Sequence, residues 1–272
     1  IYRLRRKGRW PNPLVWPRKS DAKPFLGFAG PVFLLLLVKS LSFTTMTAYA
    51  AGLGTATAAA HQVYVSLLFL TAVAVGTPLS WAAQSFMPGY LTKRSGDGGE
   101  EAAGDREAGS ERTGDSPAVC LRALLSVAAG CSSLAAGAVI AALRYGPKVF
   151  TSDQTVVAAL MNPHSSMPLV GFVMLYPIFL ALEGTLIAAR RLRVSLLMSG
   201  LLLVTNTVLF RVLKHVGWLS LSALWSASAA SLLLATAASL LAAANACDAL
   251  HHDDQAEAAS DASKKAAASK KE

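Results

Sequence analysis

The sequence contains 272 residues, of which 53% are apolar and 15% are charged, and its mean hydropathy is +0.44. A soluble domain carries about 25% charged residues, and here the charged residues crowd into positions 1–23, 93–115 and the tail after residue 248. Long apolar stretches separate these segments. This arrangement excludes a disordered protein, a disulfide scaffold and an ordinary soluble enzyme, and it predicts a polytopic membrane protein.

The positive charge of the chain does not indicate a nucleic-acid partner. The formal net charge is +9, but the basic residues mostly flank apolar stretches and form no stripe interleaved with aromatic residues. Lysines and arginines in such positions determine membrane orientation. Three cysteines lie in or beside apolar stretches, and we predict that they are packing residues rather than metal or redox ligands.

Six apolar stretches have the length of about 20 residues that a helix needs to cross a bilayer. In chain order they cover 25–53, 58–83, 118–143, 167–189, 194–213 and 216–247. The predicted fold class is therefore an all-α membrane protein with six transmembrane helices, embedded in membrane lipid. Small residues are abundant in the third and sixth stretches, which permits close helix packing in lipid.

Three segments lie outside the six-span lobe at 25–247 or interrupt it. Residues 1–24 form a basic N-terminal segment, and residues 248–272 form a charged low-complexity tail. The loop at 95–116 is rich in glycine and acidic residues and is predicted to be disordered. Because the chain begins at Ile1 with five basic residues among its first nine, we expect a fragment or a processed product whose targeting information lies upstream.

The basic residues predict the orientation of the spans. Six spans place both termini on one side, together with the loops at 84–117 and 190–193. That side carries eight lysines and arginines before the first span, four in the first loop, three in the second loop and four in the tail. The opposite side carries Arg144, Lys148, Arg211 and Lys214. Both termini are therefore predicted to face the cytoplasm or the equivalent side of an organelle.

Two ionisable side chains lie deep inside the predicted spans, Lys39 in the first and Glu183 in the fourth. An isolated charge at that depth costs about 2.5–3.5 kcal/mol on insertion scales, so we predict that the two side chains pair. One interpretation is a structural salt bridge that fixes helix register. The other is a coupling or gating site, in which Glu183 exchanges a proton and Lys39 tunes its affinity. Protonation would then release the bridge and free one helix to move.

Six further residues are candidates to line a polar cavity: His61, Gln62, Pro78, Gln84, Pro177 and Asn206. The first two open the second span, where they could equally satisfy backbone groups at a helix start. The two prolines lie inside predicted spans, where the missing N–H permits a kink of the kind that transporters use at hinges.

The sequence contains no pattern that indicates catalysis. It has no glycine-rich phosphate loop, no HExxH motif and no paired CxxC motif, so we predict no enzyme, no metal site and no cofactor. The segment Thr151–Gln154 reads as a capping box before a short interfacial helix at 156–161.

Four phrases in order resemble the C-terminal half of the multidrug and toxic compound extrusion (MATE) family. They are GTATAAAHQV at 54–63, GTPLSWAAQSFMP at 76–88, FTSD at 150–153 and LEGTLIAARRLR at 182–193. The resemblance covers about residues 25–215 and is closest to the plant plastid-type branch of the family, which implies a plastid membrane as the location.

This resemblance implies a fold and an activity. The family has twelve helices in two six-helix lobes, with substrate near the midplane between them. The chain would be the C-terminal lobe, partnered by a missing N-terminal lobe of the same polypeptide. The implied activity is secondary antiport, in which an organic solute or xenobiotic leaves in exchange for protons or sodium. This activity corresponds to multidrug efflux by a xenobiotic transmembrane transporter.

The resemblance also assigns positions to the two buried charges. Lys39 falls where bacterial sodium-driven relatives have a glutamate on the seventh helix, and Glu183 falls where they have an aspartate on the tenth. The charge reversal at Lys39 favours proton coupling over a sodium site. The chain also has Thr77 where the plant phrase has glutamate and Arg191 where it has aspartate, which weakens any inference about the substrate.

We therefore expect the C-terminal half of an antiporter working by alternating access, with Glu183 and Lys39 as coupling or gating residues. One alternative is a lipid-intermediate flippase of the same broad superfold, which would need several cationic side chains in its cavity. The other is a truncated, non-transporting membrane scaffold.

Overall fold

The computed structural model describes the backbone of residues 19–92 and 117–269, and the side chains of residues 25–88 and 118–247 with the exception of Phe28. Within these residues the chain is almost entirely helical. In chain order the helices are α1 (Lys19–Ala51), α2 (Thr55–Thr71), α3 (Thr77–Thr92), α4 (Pro117–Tyr145), α5 (Pro147–Phe150), α6 (Gln154–Met161), α7 (Pro163–Ala188), α8 (Leu192–Val216) and α9 (Leu221–Ser269). A single π-helical turn, Ala72–Gly76, joins α2 to α3.

Six helical segments of the described chain are long and apolar enough to cross a membrane. They are Phe25–Ala51, Thr55–Pro88, Ala118–Tyr145, Pro163–Ala188, Leu192–Val216 and Leu221–Cys247. The predicted fold class, an all-α membrane protein with six transmembrane helices, is confirmed.

Two span boundaries differ from the sequence prediction. The second span continues beyond residue 83 to Pro88, because Pro78 lies in the first turn of α3, directly after the π turn, where a proline does not force a break. The sixth span begins at Leu221 rather than near residue 216. There the chain leaves α8 at Gly217, whose φ of 77° is left-handed, and Trp218 N–H returns to the carbonyl oxygen of Leu213 at 2.9 Å.

Three predicted segments fall partly or wholly outside the described residues. The loop at 95–116 lies outside them, as do residues 1–18 of the basic N-terminal segment. The backbone of the predicted tail continues α9 as a helix to Ser269.

Side-chain caps begin helices α6 and α7 on the side of the lobe opposite the predicted cytoplasmic face. Asn162 Oδ1 accepts a hydrogen bond from His164 N–H at 3.0 Å, and Pro163 occupies the first position of α7, a combination favourable to helix initiation. Helix α6 begins one residue after Asp153, whose Oδ1 accepts from Thr155 N–H at 2.8 Å. The capping box predicted at Thr151–Gln154 is therefore wrong in detail, since Asp153 is the cap.

Replacing Asp153 with asparagine should abolish the pH dependence of the α6 cap without removing the cap. Hydrogen bonds from the Thr155 side chain and backbone hold the pKa of the Asp153 carboxyl below its ordinary value of 3.8. The carboxylate therefore stabilises the helix above that ordinary value, and the contribution is lost as the pH falls through the lower folded-state pKa. An asparagine oxygen accepts the same bond without titrating.

Amide hydrogen-exchange protection at residues 155–157 checks this expectation. Protection should fall on acidification in the wild type, stay constant in Asp153→Asn and be low at every pH in Asp153→Ala. An equal fall in the asparagine variant would assign the pH dependence to another group.

Helix α7 lies at the centre of the lobe. It packs against α3, α4 and α9, and residues 181–186 are all buried. A helix buried on every side needs apolar residues on every side, and α7 carries few polar residues. The main apolar cluster includes Tyr64, Phe172 and Trp225, whose rings pack edge to face at centroid distances of 5.7 Å from Trp225. Helix α1 packs mainly along α8 and α2.

Two glycines bring the second span close to α7. A methyl group on Gly184 would lie 2.5 Å from the carbonyl oxygen of Ser80, and one on Gly76 would lie 3.4 Å from Cα of Pro177. The backbones therefore approach closely in two places, as small residues permit in lipid. Because Gly184 follows Glu183 directly, this contact also fixes the height of the buried carboxylate.

Candidate functional site

The site centres on a buried ion pair between α1 and α7. Lys39 Nζ donates to Glu183 Oε2, and the side chains are 16% and 7% exposed, respectively. The structure thus brings together the two charges that the sequence places inside spans. Each compensates the other in surroundings where an isolated charge is costly.

Neighbouring residues orient both members of the pair. On the other side of the carboxylate, Ser195 Oγ at the start of α8 lies 3.4 Å from Glu183 Oε1. The Lys39 ammonium lies 6.0 Å from the centroid of the Phe179 ring, one helical turn before Glu183, where a cation–π attraction operates. The pair is therefore held at the junction of three helices, α1, α7 and α8.

A small cavity adjoins the pair. Its volume is about 10 Å³, which is about the room that one water molecule needs. It is lined by Lys39, Ser42, Phe43, Met46, Phe172, Tyr176, Phe179, Leu202 and Asn206. The cavity thus continues from the lysine of the ion pair towards a buried amide.

That amide belongs to Asn206, which is 4% exposed. Its Nδ2 donates to Ser42 Oγ at 3.3 Å, which links α8 to α1. Its Oδ1 is buried without a hydrogen-bond partner, and so is Ser199 Oγ two turns earlier on α8. Buried polar atoms in proteins are normally paired, so both oxygens are free acceptors, and that of Asn206 belongs to a residue that lines the same cavity as Lys39.

The remaining cavity candidates occupy different places. His61 on α2 is buried, and its ring lies 5.7 Å from that of Trp225. Its Nε2 lies 3.2 Å from Thr47 Oγ1, which is closer than Lys39 to the C-terminal end of α1. Gln84 Nε2 donates to Ser80 Oγ at 3.2 Å. Gln62 and Pro78 are exposed on the surface of the lobe, and Pro177 is buried where α7 meets Gly76. Lys39 and Asn206 therefore line one cavity, Glu183 binds Lys39 beside it, and these five candidates lie elsewhere.

Sequence reasoning missed the serines of the site. The buried residues of α8 are Ser195, Ser199, Leu202, Asn206 and Phe210. Their spacing of four, three, four and four residues defines one face of a helix, and three of the five are polar. A buried face with that composition could have been found from the spacing alone.

The described residues contain no group of three or more His, Cys, Asp or Glu side chains that could hold a metal ion. Whether the protein needs a cofactor is not decided by this observation, and its predicted absence stays a prediction.

The fold and the site define an integral membrane protein with six spans and a buried ion pair where three helices meet. Its sequence is similar to the protein DETOXIFICATION 47, chloroplastic, of Arabidopsis thaliana, with 28% identity over 185 residues. The matched residues are 68% of this chain and 31% of the relative, so the chain spans less than a third of that protein. No protein-family model and no solved structure matches the chain.

This relative confirms the resemblance to MATE-type proteins as a distant one. The similarity is to a transporter rather than to an enzyme. The relative is named as a chloroplastic protein, and the six apolar helices of this chain support a multi-pass integral membrane protein.

Proposed function

We propose that this chain is the C-terminal half of a secondary antiporter, which exports an organic solute or xenobiotic in exchange for protons by alternating access. The observation that carries the proposal is the buried Lys39–Glu183 pair, in a chain similar to a MATE-type protein. In this proposal an N-terminal lobe completes the cavity, and both termini face the stromal or cytoplasmic side of the membrane.

The pair supplies the bistable contact that coupling requires. With Glu183 ionised, the salt bridge joins α1 to α7. Protonation of Glu183 cancels the attraction, so α1 and α7 are free to separate while α1 stays packed on α8. A ligand can shift such an equilibrium only through different affinities for the two states, and a proton bound in one state alone meets that condition.

A proton is a better coupling ion for this site than sodium. Glu183 already has a cation as its neighbour, because the Lys39 ammonium binds one oxygen of its carboxylate. A metal cation placed beside Glu183 would be repelled by the Lys39 ammonium. We therefore expect a pH gradient, and not a sodium gradient, to drive export.

The flippase alternative has weaker support. A diphosphate headgroup calls for several cationic side chains in the cavity, and among the described residues Lys39 is the cation that lines the cavity beside the pair. The non-transporting scaffold differs from the antiporter in one measurable property, because it moves no solute.

Export of ethidium, a fluorescent organic cation, from proteoliposomes tests the proposal. The full-length protein that contains this chain is reconstituted, and either a pH gradient or a sodium gradient is imposed. We expect the pH gradient alone to accelerate export, and Glu183→Gln to reduce this acceleration at least tenfold with unchanged expression.

Thr44→Val is the matched control, because Thr44 is exposed on α1 and its hydroxyl bonds only to the carbonyl of Ser40 among the described contacts. Unchanged pH-driven export in Glu183→Gln would reduce the pair to a structural bridge. Absence of ethidium export from the wild type under both gradients, with several other organic cations tested alongside, would favour the scaffold.

A further inference from the structure

Protonation of Glu183 would leave the Lys39 ammonium without its counter-charge. Lys39 is largely buried, and a buried charge without a partner is strongly unfavourable. An ammonium has three N–H donors, so the cost is reduced only if oxygen acceptors lie within reach. The inference that follows rests on the proposed function, which requires Glu183 to change its protonation state.

Acceptors of this kind lie along the buried face of α8. Ser199 and Asn206 follow Ser195 by four and eleven residues, so they lie about 6 Å and about 16 Å further along the helix axis. Ser195 contacts Glu183, whereas Ser199 Oγ and Asn206 Oδ1 are buried and unpaired.

Lys39 is attached to α1 between two levels along α8, that of Ser195 and that of Asn206. Its ammonium reaches back to Glu183, at the level of Ser195. Ser42, only three residues after Lys39 on the same helix, contacts Asn206 at 3.3 Å. The direction of the flexible four-carbon stem of Lys39 therefore decides which level the ammonium reaches.

A cavity of about 10 Å³ and an aromatic ring lie between these levels. Lys39 and Asn206 line the same cavity. The Phe179 ring also lines it and already lies 6.0 Å from the ammonium. A cation that moves from Glu183 towards Asn206 thus passes an aromatic face that attracts it.

We propose that Asn206 provides a second binding position for the Lys39 ammonium, occupied when Glu183 is protonated. In the first state the ammonium binds Glu183 and joins α1 to α7. In the second state it passes Phe179 and binds Asn206 Oδ1, and so joins α1 to α8. Protonation then exchanges one interhelical contact for another, so α1 stays attached to α8 while α7 is released.

Other titratable side chains occur on the helices around the pair. They include Tyr176 on α7, which lines the cavity, His61 and Tyr64 on α2, and exposed basic side chains, namely Arg122 on α4 and Arg193, Arg211, Lys214 and His215 on α8. On the described part of α9 within its span, 221–247, no Asp, Glu, Lys, Arg or His occurs. Asn206 is thus the neutral acceptor best placed to receive the ammonium.

Relocation of the negative charge tests the proposal without any transport assay. Glu183→Gln imitates the protonated state, and Asn206→Asp places a carboxylate at the second position. If Lys39 reaches Asn206, the double variant regains a buried ion pair. Its thermal unfolding midpoint in detergent should then rise by several degrees above that of Glu183→Gln alone.

Two controls test whether the rescue depends on Lys39. Adding Lys39→Met should abolish the rescue, because the new carboxylate then has no partner. Thr207→Asp in the Glu183→Gln background should not rescue, because the half-buried Thr207 is the next residue on α8 and does not line the cavity. If Asn206→Asp lowers the midpoint of Glu183→Gln, or if the rescue survives Lys39→Met, the second position does not exist.

A milder variant covers the case in which the buried aspartate prevents folding. Asn206→Leu should lower the unfolding midpoint more in the Glu183→Gln background than in the wild type, because Lys39 binds Asn206 only when position 183 carries no charge. Equal shifts in the two backgrounds would overturn the proposal. Because these midpoints do not depend on export, they can fail while ethidium export remains pH-driven, and they can succeed in a protein that exports nothing.

Discussion

Lys39→Met is expected to lower the free energy of unfolding by about 3–5 kcal/mol, the usual cost of removing one member of a buried ion pair. The loss is large because the Glu183 carboxylate, 7% exposed, keeps its burial and loses its counter-charge. Ser195 Oγ at 3.4 Å is the remaining contact of its other oxygen, and one neutral hydroxyl cannot compensate a full charge.

The double variant Lys39→Met/Glu183→Leu should cost less than Lys39→Met alone, because it removes both charges and leaves apolar groups of similar size. The charge swap Lys39→Glu/Glu183→Lys should recover part of the wild-type stability because it restores a pair of opposite charges. Equilibrium unfolding by SDS in mixed micelles, followed by tryptophan fluorescence, measures the wild type, both single variants Lys39→Met and Glu183→Leu, the double variant and the charge swap. Additive effects of the two single substitutions would show that the pair contributes no interaction energy of its own.

The ion pair illustrates what a sequence of this kind can predict. Two opposite charges inside separate apolar stretches must be compensated, so their pairing follows from the cost of burial without knowledge of how the helices are arranged. The six spans follow in the same way from length and apolar composition. Neither prediction needs the rotation of any helix about its own axis.

Which of the polar candidates face the site depends on helix rotation and was not predicted. Gln62 and Asn206 are both polar residues within spans, yet Gln62 is exposed and Asn206 is 4% exposed beside the ion pair. Only the packing of α8 on α1 distinguishes them. The π turn at Ala72–Gly76 adds a further rotation between α2 and α3, because a π turn shifts the register of the helix that follows it, and no residue pattern in the sequence marks it.

The close approach of α3 to α7 was also unpredicted, and it supports the second large expected effect. Gly184→Ala should destabilise the lobe by about 1–3 kcal/mol or more, the range for overpacking of a well-packed interior. The added methyl group would lie 2.5 Å from the carbonyl oxygen and 2.8 Å from Cα of Ser80. These are backbone atoms, so relief requires movement of a whole helix rather than of one side chain.

Gly171→Ala is the matched control on the same helix. A methyl group there meets no atom within 4 Å, and alanine is the better helix former by about 1 kcal/mol, so this variant should be neutral or slightly stabilising. Unfolding in SDS measures both variants. Equal effects at the two positions would mean that helix propensity, and not contact with α3, decides the effect of the alanine at position 184.

A further variant shows whether the clash comes from the backbone of Ser80 or from its side chain. Ser80→Gly removes the hydroxyl oxygen that would lie 2.8 Å from the new methyl group, but it leaves the carbonyl oxygen at 2.5 Å. Ser80→Gly/Gly184→Ala should therefore recover only a small part of the stability lost in Gly184→Ala. Full recovery would locate the clash at the side chain, and α3 and α7 would then be free to pack with an alanine at the position next to Glu183.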